Sequence, residues 1–474
     1  MVSKGEEEAK KRARTHSMSP QFWGRSPRVY YIETENRAKE WETDPAPLAA
    51  KKRTGLDALA LAEEAAIGWQ LGNRTLFKSV KRMLPGERIV SSRNRDIVET
   101  SSYPEAPSCI IENLSAQVCE AFEAGAALEF SGGLDSRLLL ALGLHRGVRP
   151  ELSFTIGEEN FPDAINAAAI ADRFGVAHLR IPPTVNRERI REDIIAFIRR
   201  SGYSVNAVTH AWLPGTLSKL DEVRTAQVSG LVGEICGGFY YTPYDSVIER
   251  LGLERQWVAM RLMSPRSRWS FLWHVDIAQD LEARIYAEAD IALHSVDGSW
   301  RERTDAFYRN ERVRRWAIPV LDACEELYQV ITPLLSPEYF GWATAIAPSA
   351  RTRDRQPERE LLRRAFFALE DFRGPIQQSS RLSTSPTVSK ILRRLAGQNR
   401  KSDLGAVESA VALAEDSRLR EWISAMCAHS NLELSTEGVE RVLGDPIQYP
   451  ELVGVLVTAS VAWNDLCQSS CENA

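Results

Sequence analysis

"LEFSGGLDSRLLLAL", residues 128–142, sets two glycines together with Ser131, Asp135 and Ser136 between two apolar runs. The first run is typical of the end of a buried strand, and the leucines of the second are typical of a buried helix. Gly132 and Gly133 allow the backbone to turn sharply and to approach another group closely, because neither carries a Cβ atom. The stretch therefore predicts a strand, a tight turn and a helix in succession, which is the basic unit of an α/β sheet.

Similar strand and helix patterns alternate on both sides of this stretch. Further strands are predicted at residues 152–157, 177–181 and 224–233. The helices between and before them are predicted at residues 109–124, 136–146, 163–174 and 187–200. Beyond about residue 245 the strand patterns fade and helical patterns follow one another. This order predicts a parallel sheet with helices on both faces, followed by a helical C-terminal part.

The remaining patterns suggest three regions. Residues 1–18 are charged and are expected to be a disordered or engineered leader. Residues 19–105 predict a small mixed region of strands and helices, and the Ser- and Pro-rich stretch 101–108 is the candidate linker. Residues 106–474 then form the α/β region, with its helical half from about residue 245.

Composition limits the classes of function. The chain has 474 residues, 44% of them hydrophobic, and a formal net charge of −5, which provides no general argument for binding nucleic acid. Its 7 cysteines include no C-x-x-C pair, so neither a disulfide framework nor a cysteine zinc site is expected. The longest apolar run, residues 452–463, is shorter than the roughly 20 residues that cross a bilayer. A soluble, cytoplasmic protein without a membrane partner is expected.

The glycine turn has the features of a phosphate site. Backbone N–H groups at the start of the following helix would point at an anion, and the hydroxyls of Ser131 and Ser136 add donors. Asp135 would repel a phosphate unless a cation lay between them, which favours Mg²⁺. The G-x-x-x-x-G-K-[ST] pattern of γ-phosphoryl transfer is absent from the sequence. The alternative is an ordinary strand-to-helix turn with a serine cap.

The hexamer S-G-G-x-D-S resembles the pyrophosphate loop of the N-type ATP pyrophosphatases, which cleave ATP to AMP and pyrophosphate. Among them the chain is most similar to the asparagine synthetase family and its relatives, the β-lactam synthetases and lasso peptide cyclases. Three further stretches carry the resemblance: residues 153–178, residues 228–240 ("VSGLVGEICGGFY"), and residues 75–89, which resemble the last hairpin of a glutaminase-type domain. The resemblance covers about residues 25–245 and implies an adenine nucleotide α-hydrolase-like fold.

The resemblance also implies roles for individual residues. The pyrophosphate loop would comprise Ser131, Gly132, Gly133, Leu134, Asp135 and Ser136. Adenine would lie against Ile156 and Gly157, and the nucleotide and substrate against Ser229 and Gly230. Asp135 and Glu234 would be the Mg²⁺ carboxylates, although Glu234 follows a glycine where the family has an Asp-Glu pair. Asp163 would orient substrate or cap its helix, and Tyr240 would lie near the mouth of the substrate pocket.

Two features of the family are missing or ambiguous. Relatives that hydrolyse glutamine begin with a cysteine nucleophile, whereas no cysteine precedes Cys109, so residues 19–105 resemble only part of a glutaminase-type (Ntn-like) domain. Relatives also place a lysine in the helical half to stabilise the transition state. The candidates here are Arg355, Arg381 and Lys390, although arginine-rich helices are commonly solvated surfaces.

The function expected from these features is that of an ATP-dependent, amide-forming ligase. It would adenylate a small-molecule or peptide carboxylate, release pyrophosphate and transfer the acyl group to an amine. The alternatives are an ammonia- or glutamine-dependent synthetase working with a separate glutaminase subunit, a tRNA-modifying pyrophosphatase, and a degenerate nucleotide-binding scaffold. The synthetase needs a partner subunit, and the tRNA-modifying enzyme needs a basic RNA-binding face. The net charge of −5 does not favour such a face.

Overall fold

The computed structural model describes residues 29–33, 39–83, 87–92, 95–100, 105–221, 226–325, 329–352, 354–370 and 403–472. The expected leader at residues 1–18 and the candidate cations Arg381 and Lys390 lie outside these residues.

The N-terminal region contains a small antiparallel sheet and a separate hairpin. The sheet has the order β2-β1-β3, and its strands are β1 (Tyr30–Glu33), β2 (Lys39–Glu42) and β3 (Lys81–Arg82). The hairpin pairs β4 (Glu87–Ser92) with β5 (Arg95–Thr100). Helices α1 (Pro45–Lys51) and α2 (Ala58–Ile67) lie between β2 and β3. Asp57 caps α2, because its Oδ1 accepts the N–H of Leu59 at 2.9 Å.

A five-stranded parallel sheet forms the centre of the molecule. Its strands are β6 (Ala127–Glu129), β7 (Leu152–Ile156), β8 (Ala177–Ile181), β9 (Ala226–Val228) and β10 (Gln329–Ile331). The order is β10-β9-β6-β7-β8, so the chain builds outward from β6 in both directions. Open α/β sheets bind ligands at the carboxyl ends of the strands where this reversal occurs, here between β6 and β9. Strand β10 was not predicted, because it lies in the part of the chain beyond residue 245 for which only helices were expected.

Helices cover both faces of this sheet, as predicted. The flanking helices are α3 (Ile110–Glu123), α4 (Leu134–His145), α5 (Pro162–Arg173), α6 (Ile190–Arg200), α7 (Ala207–His210) and α8 (Leu213–Asp221). Leu128 packs on one face in the same hydrophobic cluster as the leucines of α4. Ala127, one residue earlier, packs on the other face with Phe154 and with Leu220 of α8. Successive residues of a strand point to opposite faces, so both faces are buried.

The C-terminal part is helical, as the sequence predicts. Its elements are α9 (Asp245–Leu251), α10 (Glu254–Arg261), α11 (Val275–Leu293), α12 (Trp300–Phe307), a π-helical segment (Tyr308–Ala317), α13 (Ile318–Glu325), α14 (Pro337–Ala345), α15 (Gln356–Glu370), α16 (Asp403–Glu415), α17 (Ser417–His429), α18 (Thr436–Gly444) and α19 (Pro450–Glu472). Short 3₁₀ turns occur at Gly233–Cys236, Arg266–Arg268, Ser270–Leu272 and Pro333–Leu335. No helix among the described residues is long and apolar enough to cross a membrane.

The N-terminal region shares its hydrophobic core with the rest of the molecule. Phe77 meets the ring of Tyr203 edge-on at 5.0 Å between ring centres. The hydroxyl of Tyr203 in turn donates to Asp465 of α19 at 2.7 Å. Leu61 of α2 and Leu456 of α19 belong to one buried cluster. The predicted boundary near residue 105 therefore separates two parts of the chain whose described residues pack together.

Candidate nucleotide site

The glycine turn connects β6 to α4 at the point where the strand order reverses. Gly132 has a left-handed φ of 69°, a conformation that glycine adopts without strain. The N–H of Gly133 donates to Ser131 Oγ at 3.2 Å, and Ser136 Oγ donates to the carbonyl of Gly133 at 3.3 Å. Gly133 begins α4 with no side-chain cap. The backbone donors of this helix start are therefore of the kind that bind anions.

A second loop, residues 229–233, follows β9 and contacts the first. A Cβ atom at Gly230 would lie 3.0 Å from Cβ of Asp135, and one at Gly233 would overlap Oδ1 of Asp135. Val232 of this loop has a φ of 76°, which is strained for a β-branched residue. Such strain persists where the surrounding structure enforces it, and it is common at functional sites.

A cleft of about 390 Å³ opens between the two loops. The predicted residues that line it are Ser131, Asp135, Ser136, Ile156, Ser229 and Gly230. Trp212, Leu217 and Trp316 supply apolar walls. The lining thus includes both polar, glycine-rich loop residues, which suit phosphates, and apolar, aromatic side chains, which suit a base. Gly157 lies at the end of β7, but its N–H donates to Ile181 in the neighbouring strand at 3.0 Å.

Arg355 pairs with Asp135 at the polar end of the cleft. Its Nη1 donates to Asp135 Oδ2 at 3.1 Å, and its Nη2 contacts both Asp135 Oδ1 and Glu358. Glu358 is 0% exposed. Burial and then the nearby charge of Asp135 raise the pKa of Glu358 well above its ordinary range, against the opposing effect of Arg355. Arg355 is therefore shared by two carboxyl groups, those of Asp135 and Glu358.

The two predicted metal ligands, Asp135 and Glu234, line different cavities. Glu234 lines a second cavity of about 360 Å³ with Gly237, Phe239 and Arg355, and it hydrogen-bonds with the hydroxyl of Tyr308. The described part of the chain contains no group of three or more His, Cys, Asp or Glu side chains arranged to hold a metal. Mg²⁺ is commonly held by one or two carboxylates and the phosphates of a nucleotide, for which Asp135 alone is a sufficient protein ligand. Mg²⁺ therefore stays a prediction.

Tyr240 and Asp163 are not among the residues that line these two cavities. Tyr240 is 3% exposed and packs edge-on against Trp257 at 5.2 Å, and burial raises the pKa of its hydroxyl to about 12. Its neighbour Phe239 lines the second cavity, where Arg312 lies 5.0 Å from the ring centre. Asp163 lies in the first turn of α5, whose N-cap is Phe161. Its charge is favourable next to the positive end of the helix dipole.

Several residues of the site were missed by the sequence analysis. Glu129 lines the cleft from the last position of β6. The sequence feature that could have indicated its role is a single carboxylate inside an otherwise apolar strand. Gln227 and Trp212 also line the cleft. Glu358 lies in a highly charged stretch, and no pattern there indicated that its side chain is buried. Trp316 lies in the π-helical segment Tyr308–Ala317, a geometry that is often found at functional sites.

Comparison with known proteins leaves the family open. No model of a known protein family matches the chain, and no curated protein matches it significantly. The resemblance to the asparagine synthetase family therefore rests on the motifs themselves.

Proposed function

We propose that the protein is an ATP-dependent ligase that adenylates a carboxylate and then forms an amide. The observation that carries this proposal is the meeting of three elements at the sheet reversal. These are the 131–136 loop, the 229–233 loop and the guanidinium of Arg355. Together they supply phosphate donors, a carboxylate for a nucleotide-bound cation and a fixed positive charge, which adenylation requires.

The pyrophosphate of ATP would lie over the 131–136 loop, where the start of α4 and the hydroxyls of Ser131 and Ser136 donate to it. The base would occupy the apolar end of the cleft beside Ile156 and Trp212. Mg²⁺, when bound with ATP, supplies charge neutralisation of the pyrophosphate leaving group, with Asp135 as its protein ligand.

Arg355 is the candidate cation that lies at the site, since it contacts Asp135 and also lines the second cavity. We assign the second cavity, next to Phe239, to the carbon chain of the acid. A carboxylate oxygen of the acid attacks the α-phosphorus, and the bond from that phosphorus to the pyrophosphate oxygen breaks. Arg355 then stabilises the negative charge that develops between the two cavities.

The second step joins the amine to the activated acid. The amine nitrogen attacks the acyl carbon, the bond from that carbon to the AMP oxygen breaks, and the amine loses a proton. Glu234 is the carboxylate that lines this cavity, and we assign it the role of accepting that proton. A synthetase fed by a separate glutaminase would use the same site and differ only in the source of its nitrogen.

One observation favours a second candidate function, a nucleotide-binding scaffold without catalysis. Arg355 engages both oxygens of Asp135, which are the atoms that would coordinate Mg²⁺. If ATP does not displace this contact, the site binds nucleotide without activating it.

The test is pyrophosphate release from ATP and Mg²⁺ by the full chain, measured over a panel of carboxylic acids and peptides. Asp135→Asn is expected to reduce carboxylate-dependent release by at least about 100-fold, since the nucleotide-bound cation loses its protein ligand. Asp172→Asn, on the exposed side of α5, is the matched control and keeps wild-type release. ATP binding with no release on any acid supports the scaffold, and no ATP binding contradicts both candidates.

A further inference from the structure

The ion pair beside the glycine turn leaves two buried polar atoms unused. Arg355 directs Nη1 and Nη2 at the two oxygens of Asp135, and its Nη2 also contacts Oε2 of Glu358. Arg355 Nε and Glu358 Oε1 are buried, and neither has a hydrogen-bond partner among the described residues. A buried donor and a buried acceptor without partners cost free energy, so their presence on two contacting side chains needs an explanation.

The two unused atoms are the second half of a side-on ion pair. A guanidinium can present Nε and Nη2 along one edge, and a carboxylate fits that edge with two parallel hydrogen bonds. Arg355 already contacts Glu358 through Nη2, so a rotation of the guanidinium would bring its Nε to Oε1. Glu358 therefore offers Arg355 a complete partner that the present arrangement uses only in part.

Glu358 is fixed in the core beside the site. Its side chain is 0% exposed, and the Sγ of Cys236 lies 3.7 Å from its Oε2. A thiol is a weak donor, so Arg355 is the strong partner of this carboxyl among the described residues. Arg355 opposes the effect of burial on the pKa of Glu358, so a fuller contact between them favours the carboxylate form.

The backbone and stem of Arg355 are held in an unusual conformation. Arg355 has a left-handed φ of 61°, which is uncommon for a residue with a Cβ atom and typical of functional sites. A Cβ atom at Gly237 would lie 2.7 Å from Cγ of Arg355, so the stem packs closely against that glycine. A change of partner therefore needs only the far end of the arginine side chain to turn.

We infer that Glu358 is a positioning residue, which takes over the guanidinium of Arg355 when a nucleotide-bound cation occupies Asp135. This inference rests on the proposed function, in which Asp135 is the protein ligand of that cation. Both oxygens of Asp135 face Arg355, so the guanidinium and the cation compete for them. An arginine displaced in a largely buried place without a second carboxylate would be an uncompensated charge, which is costly. Glu358 removes this cost and keeps the guanidinium at the site.

The test measures how much Mg²⁺ strengthens the binding of ATP. Trp212 and Trp316 line the cleft, so quenching of tryptophan fluorescence reports ATP binding by the full chain, with Mg²⁺ and with EDTA. The wild type is expected to bind ATP about 10- to 100-fold more tightly with Mg²⁺. Glu358→Gln keeps the shape of the side chain and removes its charge, so Arg355 stays on Asp135 and the ratio is expected to fall to within about threefold.

Further variants separate positioning from a structural role. A structural role for Glu358 predicts weaker ATP binding with and without Mg²⁺, which leaves the ratio unchanged. Arg355→Met/Glu358→Gln also removes the group that competes for Asp135, so the Mg²⁺ effect is expected to return to within about threefold of wild type. Glu360→Gln, exposed on the same helix and paired with Arg363, is the matched control and keeps the wild-type ratio.

An unchanged Mg²⁺ effect in Glu358→Gln overturns the inference, and so does a wild type whose ATP affinity does not respond to Mg²⁺. Should Glu358→Gln fail to fold, the double variant still decides, because loss of the Mg²⁺ effect there also overturns the inference. If such a wild type releases pyrophosphate with a carboxylic acid, the proposed function stands without the inference. If ATP does not bind at all, the proposed function fails and the inference fails with it.

Discussion

Two regions of the molecule bury carboxyl groups, and they satisfy them in different ways. Beside the candidate nucleotide cleft, Asp135 and Glu358 share the guanidinium of Arg355. Between α2 and the rest of the core, Glu64 has an amide as its partner, since Gln70 Nε2 donates to its Oε2 at 2.9 Å. Burial there raises the pKa of Glu64 to about 8, so this carboxyl carries a proton at neutral pH.

The difference separates a candidate functional arrangement from a structural one. A protonated carboxyl is neutral and can stay in a closed core without a counter-ion. The ion pair at Asp135 lies instead beside two cavities, where an incoming phosphate or cation can exchange partners with it. A charged pair that lies beside a cavity, despite the free energy that its desolvation costs, is typical of functional sites.

The largest expected effect comes from removing the cation of the cleft. Arg355→Met is expected to lower carboxylate-dependent pyrophosphate release by about 100- to 1,000-fold, because the developing charge loses its fixed partner. Arg355→Lys keeps the charge but loses the two-pronged geometry, so an intermediate rate is expected. The measurement is release at saturating ATP, with circular dichroism to confirm that each variant is folded. Release within threefold of wild type for Arg355→Met would refute the assigned role.

A smaller effect is expected from filling the space between the two loops. Gly233→Ala places a Cβ atom where Oδ1 of Asp135 lies, so the carboxylate must move and ATP affinity is expected to fall by about 10-fold or more. Gly444→Ala, at the end of α18, meets no atom within 4 Å and is the matched control with unchanged affinity. Binding is measured by tryptophan quenching. Equal affinities in the two variants would show that the ATP site lies elsewhere.

The smallest expected effect concerns the protonated carboxyl of α2. The unfolded Glu64 titrates near 4.5 and the folded one at about 8. The folded state therefore holds a proton that the unfolded state has released, and the free energy of unfolding falls as pH rises between these values. Glu64→Gln removes this contribution and is expected to stabilise the protein at pH 8 by about 1–3 kcal/mol relative to wild type.

Urea unfolding at pH 5 and pH 8 measures this change. Glu63, whose pKa burial also raises to about 8, keeps part of the pH dependence in the variant. Glu421→Gln, exposed on α17, is the matched control and keeps the wild-type dependence. A Glu64→Gln protein that loses stability equally at both pH values would show that Glu64 is ionised in the folded state.

Much of the fold and half of the candidate site could be predicted from the sequence, because their signals are local. The glycine turn lies in one contiguous stretch, and residues 229–233 follow a strand whose partner strand carries that turn. Parallel strands end at the same edge of a sheet, so the pairing of β6 with β9 brings the two loops together. Strand β10 was missed because it is a short strand between helices, in the part of the chain where helical patterns follow one another.

The sequence by itself determined the alternation of strands and helices and the glycine turn at residues 131–136, since periodicity and turn residues act over a few positions. Only the tertiary structure decided which cation faces that loop. Arg355 lies 220 residues from Asp135 along the chain. The stretch around Arg355 is highly charged, which is a pattern typical of a surface helix. The register between β6 and β9 likewise decided that Glu129 and Gln227 lie on the same face of the sheet. These are contacts between distant segments, and their burial depends on packing that no local pattern encodes.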